Sequence, residues 1–214
     1  MPTLGDLNMP SMRRSTLQLR RLERLMDVVF ALILWRIFML LPRPDGETAQ
    51  WASVLEMVTQ SWDRFVLAVL GTVIVIVFWL QNNSLLGRLE RTDRVHTALS
   101  IFQILFLLIM LYSIGLSINY GGDVTTRLME SVAALLVGLM AYLGWRHAMS
   151  RGKLLAEEVG DDEASATLEE NMAEPITAAC TIPFAFVGPL AWELSWFLYP
   201  VIKVWLSRRR AREQ

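Results

Sequence analysis

The chain has 214 residues, 54% of them hydrophobic and 19% charged, and its formal net charge is −1. The charges gather between apolar runs, which excludes one large soluble core and indicates an all-α polytopic membrane protein. The near-neutral balance gives no basis for a nucleic-acid partner. Cys180 is the single cysteine, so neither an intrachain disulfide nor a paired-thiolate metal site is available. The first 25 residues are polar and basic, and no small-residue cleavage pattern follows the first apolar run, so that run is expected to remain.

In chain order, residues 1–16 carry Pro2, Gly5 and Pro10 and read as a flexible cytoplasmic tail. Residues 17–150 hold four transmembrane helices. The first runs from Leu17 to Leu41 and is ended by Pro42 and Pro44. Its centre, Arg20–Phe38, reads as the lining or control element of the protein. A Pro-, Gly- and acid-rich loop, Arg43–Glu47, leads to a second helix that begins near Ala52. That helix is continuously apolar from Phe65 to Leu80, bracketed by Trp62 and Trp79 as interfacial anchors. After the charged connection Gly87–Thr97, a third helix spans about Ala98–Ile118 and a fourth about Thr126–Trp145. Residues 151–174 read as an acidic cytoplasmic loop with some helical extension.

Residues 175–207 hold the fifth and sixth spans. Two short helices, 176–187 and 190–206, with a turn at Gly188–Pro189 are preferred over one kinked helix with a re-entrant piece. Residues 208–214 form a basic cytoplasmic tail. Six spans put the basic flanks on one side, so the positive-inside rule places both termini in the cytoplasm.

Several side chains invite a role. Asp27 shares a helical face with Arg20 and Arg24. It serves either as an interfacial salt bridge or as part of a polar network reaching Gln81, Asn82 or Asn83, whose amides both donate and accept. Arg36 lies well inside the apolar run. It either snorkels to the outer interface or pairs with Glu193, Glu56 or Asp63, and facing a pore it would repel cations. Glu130 and Glu193 read as outer-interface acids. His96 and His147 lack metal-ligand spacing and read as interfacial histidines. Trp192, Trp196, Tyr199 and Trp205 read as an interface belt or packing. No phosphate loop, nucleophile elbow or zinc-protease motif occurs, so no enzyme is expected.

Arg21-x-x-x-Leu25-Met26-Asp27, followed by Val28, Val29, Phe30 and Ala31, resembles the Arg-x-x-x-Phe-Ser-Asp signature of the TMEM175 (DUF1211) family. Phe78–Asn83 with Arg88 and Arg91–Asp93 is similar to the end of that family's second helix and its basic connection. The closing helix pair around Pro189 fits as well. The resemblance covers about residues 17–207. It implies a six-helix subunit of a homotetrameric potassium channel in the cell membrane, lined by the first helix. No cofactor is implied beyond the permeant potassium ion. By position, Leu32 would form the hydrophobic constriction, with Trp35 beside it. Arg21 and Asp27 would belong to a network fixing the first helix, in which Arg24, Asn82 and Asn83 are further candidates. The chain departs from the family at Leu25, Met26, Gln81–Asn83, Trp35 and Arg36. Four tryptophans could plug a narrow pore and four arginines would oppose potassium. A non-conducting structural or regulatory subunit of the same fold is therefore the alternative.

Overall fold

The computed structural model describes residues 4–39, 41–43, 51–120, 122–150 and 154–213. Among these, eight helices follow one another: α1 (Leu4–Phe38), α2 (Val54–Gln60), α3 (Trp62–Leu86), α4 (Arg94–Tyr120), α5 (Val124–Ser150), α6 (Asp161–Val187), α7 (Pro189–Ser195) and α8 (Leu198–Glu213). The chain divides into two compact units, one of residues 1–22 and 85–214, the other of residues 23–84. Among the described residues, three stretches are long and apolar enough to cross a membrane: Arg64–Leu86, Arg94–Ser117 and Val124–Ser150.

The larger unit is built on an α4–α5 hairpin with α6 laid along α5. Asp123 closes the hairpin turn, its carboxylate accepting the Thr126 N–H at 2.8 Å. That bond holds the exposed carboxyl below its ordinary range. Asp93 caps α4 in the same way, accepting the His96 N–H at 2.8 Å.

The α5–α6 contact is a zipper of mostly small side chains. On α5, Arg127, Ser131, Ala134, Gly138, Ala141, Trp145 and Ala148 recur every three or four residues, and all are buried. On α6, Ala164, Thr167, Asn171, Ala178, Thr181 and Ala185 repeat the pattern and are likewise buried. Such seams let two membrane helices approach closely. Gly138 is the tightest point: a Cβ there would lie 2.8 Å from the Pro175 ring and 2.9 Å from its nitrogen.

Polar ties fix the antiparallel register. The Trp145 indole donates to the Ala164 carbonyl at 2.9 Å. Thr181 and the Trp192 indole both donate to the Ser131 hydroxyl at 2.8 Å. The buried Arg127 donates to the Ala185 carbonyl at 3.1 Å.

One end of this unit gathers its connections. Leu89 and Leu155 form an isolated antiparallel bridge, with Glu90 N–H to Leu154 carbonyl and Ala156 N–H to Arg88 carbonyl, both 2.9 Å. Arg88 reaches Glu163 at 3.3 Å and the Thr167 hydroxyl at 2.8 Å. Arg210 of α8 donates to the Asp162 carbonyl.

Several expected boundaries shift. The segment read as a flexible tail is helical from Leu4, because extending an existing helix needs no new nucleus. The acidic stretch is not a loop: α6 starts at Asp161 and runs unbroken to Val187. Asp161, Asp162 and Glu163 occupy its first turn, where the helix dipole favours acids. Residues 151–153 lie outside the described ones. The break at Gly188–Pro189 is where the sequence put it. Gly188 adopts φ +155°, which disfavours other residues, and Pro189 opens α7. The segment beyond is two helices rather than one, and Pro200 is absorbed in the first turn of α8. The basic C-terminal tail continues α8 to Glu213. Most of the Arg43–Glu47 loop lies outside the described residues. The expected second helix begins as the separate α2, set by Ser53: its hydroxyl accepts the Glu56 N–H at 3.1 Å while Glu56 accepts the Ala52 N–H at 2.7 Å.

Candidate functional site

Helix α1 carries two apolar faces. Leu19, Leu22, Met26, Phe30, Ile33 and Ile37 are buried, none more than 6% exposed. The other face holds Leu25, Val28, Leu32, Trp35 and Met39, spaced three and four residues apart and all exposed. Leu32 and Trp35 are each 60% exposed. An apolar stripe with this spacing is the seam a helix uses to pack against another helix. Arg36, four residues after Leu32, is exposed on the flank of the stripe. Its proposed partners are engaged or unmatched: Glu56 is held by Ala52 and by Gln60 at 3.0 Å. No ion pair joins Arg36 to Glu193 among the described residues. The Asp63 side chain lies outside them.

Asp27 finds its partner on α3. The Trp79 indole N–H donates to its carboxylate at 3.0 Å. Further along the same two helices Gly71 faces Ile37, whose Cδ1 would lie 3.4 Å from an added Cβ. A side-chain hydrogen bond between the first two long helices thus runs through the Trp79 indole. Asn82 is buried and donates to the Phe78 carbonyl of its own helix at 3.3 Å, and Asn83 is exposed. Arg21 and Arg24 are exposed, and neither makes an ion pair with Asp27. Trp79 was visible in the sequence as an interface marker and within the Phe78–Asn83 resemblance, not as the partner of Asp27. Its place one helix on from a lone carboxylate was the available signal.

The histidines depart from the interfacial reading. His96 is buried, its Nδ1 3.0 Å from the Thr92 hydroxyl. His147 of α5 places Nε2 2.7 Å from the second oxygen of Asp93. Asp93 thus caps α4 with one oxygen and ties α5 with the other. Burial pushes its carboxyl up, but the His147 ring and the His96 N–H outweigh that and hold it below its ordinary range. Among the described residues no cluster of ligands suits a metal ion.

An all-helical chain with three spanning-length apolar helices, and a fourth bearing an unpaired apolar seam, is a polytopic membrane protein. Residues 21–111 match the model of the family described as the endosomal/lysosomal potassium channel TMEM175. Two solved structures share its fold. A lysosomal potassium-selective channel TMEM175 homolog from Chamaesiphon minutus is 16% identical, with 90% of this chain and 97% of that chain covered and a TM-score of 0.65. A variant of the potassium channel MtTMEM175, in complex with a nanobody–MBP fusion protein, is 18% identical, with 90% and 93% covered and a TM-score of 0.67. No curated protein matches. The family match takes in α1 from Arg21 onward, Asp27, Trp79 and Asp93, and ends within α4.

Proposed function

We propose that several copies of this chain, four by family resemblance, form a potassium channel in the cell membrane with α1 lining the central axis. The carrying observation is the seam Leu25–Val28–Leu32–Trp35–Met39, which is exposed among the described residues. Copies arranged around an axis would cover it, and the ring at Leu32, with Trp35 beside it, would restrict ion flow by dewetting. The Asp27–Trp79 bond fixes the rotation of α1, with Arg21, Arg24, Asn82 and Asn83 as secondary members of its polar surroundings. Six membrane crossings with both termini cytoplasmic complete the proposed topology, supported by the basic connections that gather with the end of α8. Potassium is the permeant ion and no cofactor takes part.

A second reading is favoured by Arg36, an exposed cation beside the seam: a subunit of the same fold that does not conduct. Purified protein in liposomes, assayed for potassium flux, separates the two. Conduction predicts flux above empty vesicles and an increase in Leu32→Ala. Verified oligomers without flux would establish the non-conducting subunit. An increase in Arg36→Gln would place that side chain at the pore.

A further inference from the structure

Glu130 contradicts its sequence reading as an outer-interface acid. It lies on α5, within the apolar stretch Val124–Ser150, and is 8% exposed. Its Oε1 is fully buried and has no hydrogen-bond partner. The nearest cation on its own helix, Arg127, is spent elsewhere: its guanidinium donates to the Gly122 carbonyl at 2.5 Å and the Ala185 carbonyl at 3.1 Å. No ion pair joins Arg127 to Glu130 among the described residues.

The other elements add no positive charge. Helix α4 brings the Ser117 hydroxyl to the carboxyl, and that hydroxyl is shared with Thr126 at 3.2 Å. Helix α7 brings Glu193, a like charge. Between Thr177 and Val187, α6 offers only Cys180 among ionisable side chains. An ionised carboxylate in such a place, with one bare oxygen and no cation beside it, is costly.

We infer that the Glu130 carboxyl is a proton-binding site inside the larger unit, carrying a proton in the resting protein at neutral pH. A metal cation fits poorly: one carboxyl and two hydroxyls fall short of the roughly six or more oxygens that hard cations gather. A proton needs one oxygen only and removes the buried charge. The adjacent hydroxyls of Ser117 and Thr126 lead toward the α4–α5 turn, where Asp123 is exposed, and offer the route of exchange. This inference stands apart from conduction, since every group belongs to α4, α5 and α7.

Infrared spectroscopy of the protein in lipid vesicles tests it directly. At neutral pH the wild type should show a protonated-carboxyl band, downshifted in heavy water. Glu130→Gln should lose the intensity of one carboxyl, and Glu193→Gln should keep the band. A wild type without such a band, or a folded Glu130→Gln with undiminished intensity, would overturn the inference. Should Glu130→Gln not fold, Glu130→Asp serves: a moved band supports the assignment and an unmoved one refutes it.

Discussion

Helices α5 and α6 share one residue spacing with the open face of α1, three and then four, but carry different side chains at it. On α5 and α6 the seam is mostly alanine, glycine, serine and threonine, and it is closed within the protomer. On α1 it is leucine, valine, tryptophan and methionine, and it is open. Small residues allow backbone approach and are pinned by polar ties such as Trp145–Ala164 and Ser131–Trp192. Large residues with no such ties suit a contact that forms between copies. The α5–α6 seam therefore carries the fold, whereas the α1 seam stays exposed.

That contrast is easiest to break at Trp145. It is 2% exposed and ties the two helices, so Trp145→Ala should cost about 3–5 kcal/mol, read as a lowered unfolding temperature in detergent. Gly138→Ala comes next. Its new methyl meets the Pro175 ring and nitrogen, and neither gives way easily. A loss of about 1–3 kcal/mol is expected, and an unchanged melting curve would show that the seam tolerates bulk.

Asp93 gives a smaller, pH-dependent effect. Its folded carboxyl titrates below the unfolded value of about 3.9, so its stabilisation is complete above that pH and is lost as pH falls toward the lowered folded value. Asp93→Asn should flatten the acid side of the stability profile below about pH 4 while lowering stability at neutral pH. Leu32→Ala should be smallest for the stability of the single protomer, where the site is exposed, within about 0.5 kcal/mol, although it removes as much side chain as a core truncation would.

The same contrast explains what could be read in advance. Helices α3, α4 and α5 were legible because each is a continuous apolar run with basic flanks. The Gly188–Pro189 break was legible because few other pairs end one helix and begin another so well. The first half of α6 was not, since its acids mask the small-residue stripe Ala164–Thr167–Asn171 that commits it to α5. That stripe, continued through Ala178, Thr181 and Ala185, was the missed signal. Leu32 and Trp35 were legible as candidates by position, but their exposure was not: α1 is apolar on both faces, so periodicity alone cannot say which one the protomer buries. Asp27 announced a polar partner, yet the number of polar side chains at the end of the next helix hid the fact that Trp79 was the one. Glu130 was misplaced because nearness to a helix start reads as nearness to water.

The central claim is that the open seam of α1 faces another copy of itself. Single cysteines in a Cys180→Ser background, oxidised in native membranes, test it most directly. Leu32→Cys on the open face should yield covalent dimers, and Ile33→Cys on the buried face should not. Dimers from Ile33→Cys alone, or from neither position in verified oligomers, would contradict the account.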